Sequence, residues 1–285
     1  MNILLLYKNS TYARYFLSDR KRLAQLEGLL NSEEIKRFRS THENHFWSLS
    51  YVEAVLRSRK LRVTKACRGS SPDFSRYDLV ITVGGDGTFL EAARQVQKGV
   101  IWGINSDPQW SVGRFCSGNT DNMEKILDKI LAGKPPVRKF NRLRLSFSDG
   151  TRSMDVLNDI LICHQNPAAL SRYYLTIGRL REEQRSSGVW IATAAGSSGG
   201  LHSAGGRILP QENKEFQYKP RELYRWKNVK YQLKGGLLNP RQTVTMTSLM
   251  REGVVFVDGS HVCLPFSFGA RVFINRSSNP LKIIF

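Results

Sequence analysis

Cysteine is scarce in this chain. The four present, Cys67, Cys116, Cys163 and Cys263, are far apart among 285 residues. That spacing makes neither a zinc pattern nor a dense disulfide framework, and it suits a reducing compartment. No apolar run approaches the ~20 residues of a membrane helix. The opening Met1-Asn2-Ile3-Leu4-Leu5-Leu6-Tyr7-Lys8 is apolar too briefly for a signal peptide and lacks a basic leader. A cytoplasmic protein without a membrane partner is therefore expected. No Gly-Lys-Ser or Gly-Lys-Thr occurs, which excludes the P-loop pattern. Acidic residues are few, 24 against 43 Lys and Arg, for a net charge of +19. Such an excess attracts anions, either nucleic acid or polyanionic small molecules. The basic residues are dispersed, with their densest groups at 57–65 and 134–144. No basic tail, homeodomain, zinc-finger or ribonucleoprotein signature is present, so nucleic acid is not the expected partner. His42 and His45 have no acid or cysteine at ligand spacing and read as structural or surface residues, and no metal-ligand set is predicted.

What is present is a packed globular composition, 41% hydrophobic and 24% charged, in a chain long enough for one large domain or two ordinary ones. Residues 2–7 read as a strand, 12–39 as a helix with Tyr15, Leu23, Leu26, Leu29 and Leu30 on one stripe, and 42–59 as a second helix. Leu61 to Ala66 alternates like an edge strand. Asp78 to Val83 is an apolar, β-branched run that ends in Gly84-Gly85-Asp86-Gly87-Thr88, followed by an amphipathic segment from Phe89 to Val96. This reads as a buried strand, a glycine turn and a helix start, where the backbone can approach a ligand and free amides can hold anions. Gly99 to Asn105 is another buried strand, ending in a polar turn at Ser106-Asp107-Pro108. Asp121 to Glu124 resembles a capping box opening a helix that stops at Gly133. Alternation of strands and helices predicts a parallel sheet. Ligands sit at the carboxyl ends of such strands, where Gly84 to Thr88 and Asn105 to Asp107 both lie.

Lys134-Pro135-Pro136 breaks the pattern and separates residues 1–135 from 136–285. Beyond it, 142–147 alternates, Asp149-Gly150 is a hairpin turn, and 152–162 continues extended. Further strands are expected at 173–177, 188–193, 229–233, 243–247, 253–257 and 270–275, with Asp258-Gly259 as a turn. The second half is therefore expected to be a mainly antiparallel β-sandwich, with the last ~20 residues packing back on the first domain. Residues 212–230 read as either a long loop or a short helix.

Three stretches carry chemistry. In the glycine turn, Asp86 would repel phosphate. It makes sense if it accepts a hydroxyl proton or orients a metal ion, or if it merely caps its helix. Asn158-Asp159 interrupts an apolar strand. The pair suits the two hydroxyls of a ribose, or a β-bulge in which both satisfy backbone groups. Arg185-Ser186-Ser187-Gly188 and the small-residue run from Thr193 to Gly206 suit either a nucleotide cradle or a flexible linker.

Taken in this order, the three stretches resemble the NAD kinase family. The resemblance spans roughly residues 78–265 and is nearest to the plant-type NADH kinases, with which it shares Val-Gly-Gly-Asp-Gly-Thr, Asn-Ser-Asp-Pro, Leu-Asn-Asp-Ile-Leu-Ile, Arg-Ser-Ser-Gly, Thr-Ala-Ala-Gly-Ser and Ser-Ala-Gly-Gly. It implies phosphorylation of the adenosine-ribose 2′-hydroxyl of NAD or NADH, with ATP as donor and Mg²⁺ or another divalent cation. In that reading Asp86 is the general base, and Gly84, Gly85, Gly87 and Thr88 meet nucleotide phosphates with Phe89 beside them. Asn105 sits at a strand end that faces ligands, and Asn158 and Asp159 hold the ribose. Thr193, Gly196 and Ser197 form the third loop, while Ser198 and Ser203 fall where the family contacts adenine. Arg185 matches an arginine that reaches a neighbouring subunit's site, which implies a homodimer or homotetramer. The chain departs from the family at Ala194-Ala195, where Pro-Thr is usual, at Gly200, where a base-stacking Tyr is usual, and at Ser187, where an acid is common. Diacylglycerol and sphingosine kinases and phosphofructokinases carry similar loops. The alternatives are thus a lipid kinase or a non-catalytic basic nucleotide- or nucleic-acid-binding protein.

Overall fold

The computed structural model describes residues 1–17, 24–25, 28–224 and 229–285. These divide into two compact units, 1–138 with 282–285, and 139–281. Leu23 and Leu26 of the expected first helical stripe lie outside the described residues, and so do residues 225–228 of the segment read as a long loop or short helix, which instead holds a strand at Phe216–Pro220.

In the first unit the strands are β1 (Ile3–Tyr7), β2 (Val63–Cys67), β3 (Leu79–Gly84), β4 (Val100–Asn105), β5 (Cys116–Gly118) and β6 (Val137–Phe140). Its helices among the described residues include α1 (Ser32–Ser58), α2 (Asp86–Gln95) and α3 (Met123–Leu131). In the second unit the strands are β7 (Leu143–Phe147), β8 (Ser153–Val156), β9 (Asp159–His164), β10 (Ser171–Ile177), β11 (Leu180–Ser186), β12 (Val189–Thr193), β13 (Phe216–Pro220), β14 (Gly236–Leu238), β15 (Val244–Ser248), β16 (Gly253–Val257), β17 (Val262–Pro265) and β18 (Arg271–Arg276), with one short helix, α4 (Gly200–Ser203). The last strand, β19 (Leu281–Ile284), pairs in parallel with β4 through Lys282, Ile283 and Ile284.

The first sheet runs β2-β1-β3-β4-β19-β6, with β5 also paired to β4. Its central strands are apolar without alternation because both faces are covered; all six residues of β3 are buried. From α1, Leu49, Val52, Val55 and Leu56 join Met123 and Leu127 of α3 against Ile3, Leu5, Ile81 and Trp102 of the sheet. In the second unit, sheets β11-β10-β15-β18-β7-β8 and β14-β13-β12-β9-β16-β17 are antiparallel. Their inward residues, among them Leu145, Tyr173, Val244 and Ile274 from one sheet and Ile160, Ile191, Phe216 and Val255 from the other, form one core. An α/β unit with a parallel sheet and a mainly antiparallel β-sandwich are both present, as the sequence implied.

Several local expectations are corrected. The helix read at 12–39 is helical where described at 11–17 (π-helical over Ala13–Leu17), 24–25 and 28–29, but it is interrupted at 30–31, and residues 32–39 instead join the helix read at 42–59 in one continuous α1. Neither Gly nor Pro lies between 29 and 60, and Ser40-Thr41 alone does not stop a helix. Helix α1 begins with a capping box between Asn31 and Glu34. Residues 121–124 make none. Asn122 accepts from the Asn119 amide, and Glu124 turns to Tyr51 and Arg59. Residues 229–233 are not a strand, because Glu182 accepts the Gln232 and Leu233 amides and Gln184 donates to the Leu233 carbonyl, leaving no ladder. The expected run 152–162 breaks at 157–158, where the chain leaves one sheet for the other.

Ile283 is wholly buried in the first sheet. Ile283→Ala is expected to destabilise the protein by about 2–5 kcal/mol, the range for large-to-small core changes. Urea unfolding would reveal it, and an unchanged midpoint would show that the final strand contributes little to the first core.

Candidate functional site

The first unit presents Gly84-Gly85-Asp86-Gly87-Thr88 where β3 turns into α2. The Gly85 carbonyl accepts the Thr88 and Phe89 amides and starts the helix. A Cβ on Gly84 would lie 2.5 Å from Thr88 Oγ1, and one on Gly85 would lie 2.5 Å from Ser111 Oγ. The turn is thus built for residues without side chains.

Asp86 is the first residue of α2 but makes no capping bond there. Its Oδ1 accepts the Phe115 amide at 2.9 Å. The carboxylate is half-buried and tied to a neighbouring segment, and Phe115 stacks on Phe89 with ring centroids 5.4 Å apart. Cys116, next along, has its thiol pushed up to about 12 by burial and then by the Asp86 charge.

Beside this turn, β4 ends at Asn105. Asn105 accepts the Asp107 amide at 3.2 Å and donates to the Ser111 carbonyl at 2.9 Å, closing the 105–111 loop onto the glycine turn. The Ser106 amide donates to the Gly84 carbonyl at 3.1 Å. Sequence reading overlooked the support behind this loop. His45 Nε2 lies 2.8 Å from the Lys8 carbonyl, so that nitrogen carries the proton and Nδ1 accepts from Ser106 Oγ, also at 2.8 Å. Burial drives the His45 pKa down to about 4, consistent with a neutral ring in a structural role. Asp107 accepts from Asn44 through Oδ1, while its buried Oδ2 has no partner among the described residues.

The second unit carries the other candidates. Asn158 and Asp159 stand where the chain passes from β8 to β9. Asp258, read from sequence only as a turn residue, accepts the Leu157 amide at 3.2 Å and the Asn158 amide at 2.6 Å. Asn158 Nδ2 donates to Asp159 Oδ2 at 2.7 Å. Thr193, at the end of β12, donates to the Leu157 carbonyl at 2.6 Å and accepts the Gly196 amide at 3.1 Å. Any Cβ on Gly196 would strike the Asn158 carbonyl. The structure therefore joins Asn158, Asp159, Thr193 and Gly196 into one knot.

Ser197 is buried, with its hydroxyl committed to the Ala194 carbonyl and the Leu209 amide. Ser198 is half-buried, and Ser203 is exposed at the end of α4. Arg185 belongs to β11 in the other sheet of the sandwich, so it does not join the knot. Gly200 lies against the Trp190 indole, only 2.6 Å from where its Cβ would be. Trp190, Leu161 and Phe256 are lateral neighbours on β12, β9 and β16, and with Asp159 they line a hollow of about 210 Å³.

A nucleotide-binding α/β protein with an appended β-sandwich is the class these elements define. The model of the ATP-NAD kinase N-terminal domain matches residues 36–134. A probable NADH kinase of Oryza sativa subsp. japonica is 33% identical over 263 residues, covering 84% of this chain and 81% of that protein. The NADH kinase of Arabidopsis thaliana is 28% identical and covers 91% and 90%. Among solved structures, an NAD kinase from Archaeoglobus fulgidus in complex with ATP superimposes with a TM-score of 0.70 at 21% identity, over 100% of this chain and 94% of that one. Yeast NADH kinase complexed with NADH also gives 0.70, at 14% identity, over 100% and 83%. The chain belongs to the NAD kinase family. No described helix is long and apolar enough to cross a membrane.

The Asp159 carboxyl is pushed up to about 7, first by burial and then by the Asp258 charge, against a backbone hydrogen bond from Gly259. The folded state therefore holds a proton that the unfolded chain releases near 3.8. Its contribution to stability is present below that value and is lost as pH rises toward 7. Asp159→Asn should flatten this fall. Urea unfolding of both proteins across that window tests it, and a stability gap that does not change with pH would refute the shift.

Proposed function

We propose that the protein transfers the terminal phosphoryl group of ATP to the adenosine-ribose 2′-hydroxyl of NAD or NADH, with Asp86 as general base. The observation that carries this reading is the state of Asp86. It is half-buried at the mouth of a glycine turn, does not cap its helix, and keeps one carboxylate oxygen without a partner among the described residues. Its other oxygen is fixed by the Phe115 amide, so the carboxylate is oriented rather than free to rotate.

In the proposed step the 2′-oxygen attacks the terminal phosphorus, its proton passes to Asp86, and the bond to the bridging oxygen of ADP breaks. Such transfer is mainly positioning and charge neutralisation. The turn at Gly84 to Thr88 suits phosphates through backbone amides, and Asn158 and Asp159 suit the ribose hydroxyls. A carboxyl with a pKa near 7 can act there as donor or acceptor. Among the described residues no group of three or more acids, histidines or cysteines could cage a cation. Mg²⁺ typically keeps several waters and is shared with substrate phosphates, so the lone Asp86 carboxylate fits a cation brought by the donor. When bound, Mg²⁺ would neutralise phosphate charge. We further propose a homodimer or homotetramer, on the resemblance at Arg185, and a cytoplasmic location in keeping with four free cysteines.

Incubation with ATP and Mg²⁺ should convert NAD or NADH to its 2′-phosphate, and comparing the two dinucleotides defines the preferred acceptor. If the folded protein phosphorylates neither, the proposal fails. Asp86→Asn retains an oxygen for the Phe115 amide and should fold normally, yet lose about 10²–10⁴-fold in turnover, the usual scale of general-base catalysis. Undiminished turnover would leave Asp86 as a tether for Phe115 only.

A further inference from the structure

The glycine turn is flanked by two cations that no motif announces. Arg68 follows β2 directly. Its Nε is held by Glu91 Oε2 of α2 at 2.9 Å, and Glu91 Oε1 accepts the Gly69 amide at 2.7 Å. This pins the guanidinium over the turn, where NH1 and NH2 lie 3.1 and 3.6 Å from the position a Cβ on Gly87 would take. NH2 is buried and has no partner among the described residues. Lys8 follows β1, the strand between β2 and β3, and its Cδ lies 3.5 Å from the position a Cβ on Gly84 would take. The Lys8 amine is held below its ordinary value, chiefly by burial, with Asp107 opposing and Arg68 adding to the depression. Thr88 adds a third observation. It is 1% exposed, its Oγ1 has no partner among the described residues, and that oxygen faces Gly84.

Two half-buried like charges stand beside the positive end of a ten-residue helix, Arg68 paired on one edge with Glu91 and Lys8 near Asp107. An arginine with one edge fixed by a carboxylate and the other edge unpaired presents a ready fork for phosphate oxygens.

We propose that Arg68, fixed by Glu91 and assisted by Lys8 and Thr88 Oγ1, clamps the polyphosphate chain of the phosphoryl donor over the Gly84–Thr88 turn. The inference rests on the kinase reading and assigns this corner to the donor rather than to the dinucleotide. Loss of a charged hydrogen-bonding partner to phosphate commonly weakens binding about 10- to 100-fold. Arg68→Ala should therefore raise the KM for ATP, and the Kd for ATP measured by calorimetry, by that factor. The KM for the dinucleotide and the affinity for AMP, which lacks the polyphosphate chain, should stay unchanged. Lys8→Met should weaken ATP in the same selective way, and Arg68→Lys should recover part of the loss.

Thermal unfolding of each variant confirms the fold. An unchanged Kd for ATP in a folded Arg68→Ala protein overturns the clamp. So does a loss shared equally by ATP, AMP and dinucleotide, or one confined to the dinucleotide. Wild-type protein that binds ATP with Arg68-dependent affinity but phosphorylates no dinucleotide would sink the kinase reading and leave the clamp standing.

Discussion

The passage from β3 into α2 leaves no room for a side chain at Gly84 or Gly85, and the surrounding unit is arranged around that restriction. Thr88 Oγ1 and Ser111 Oγ fill the space those side chains would need. Because the turn has no side chains of its own with which to hold neighbours, it is held by backbone and by Asp86. The Gly84 carbonyl takes the Ser106 amide, and the Asp86 carboxylate takes the Phe115 amide. Asn105 then closes the loop between these two attachments, and His45 braces it from α1. A carboxylate that would otherwise repel an anionic ligand thus has a structural reason to be held still where it is, which is also the requirement for a base acting on a positioned hydroxyl.

A related arrangement organises the second unit. Asp258 has a left-handed backbone, with φ of 49°, and its carboxylate receives two consecutive amides at the point where the chain changes sheets. That fixes Asn158 and Asp159 outside any continuous ladder. The charge on Asp258 in turn raises the cost of ionising buried Asp159. A close backbone approach, Gly196 against the Asn158 carbonyl, completes the knot.

Much of this was legible in the residues. A short apolar, β-branched run before Gly-Gly-Asp-Gly-Thr reads as a buried strand that ends in a tight turn, and period-two patterning over 142–147 marks a half-buried strand. Less was legible where tertiary partners override local pattern. Residues 229–233 look like a strand, but the side chains of Glu182 and Gln184 claim their backbone groups. Residues 121–124 look like a capping box, but Glu124 is drawn to Tyr51 and Arg59 instead. Lys8, Arg68 and Asp258 carry no motif, and they matter because strand order and turns place them, not because of their neighbours in sequence.

The sequence by itself determined the two kinds of architecture, the three chemical stretches and the family, because periodicity, glycine turns and motif order are local properties that survive without coordinates. Tertiary structure alone decided what each polar group does. Asp86 tethers Phe115 instead of capping α2, Ser197 is spent on backbone groups, Trp190 fills the space over Gly200, and Arg68 faces the glycine turn with an unpaired edge. The physical reason is that hydrogen bonds and charge interactions act over a few ångströms of space. The group that holds the central acid is the Phe115 amide, 29 positions away in sequence.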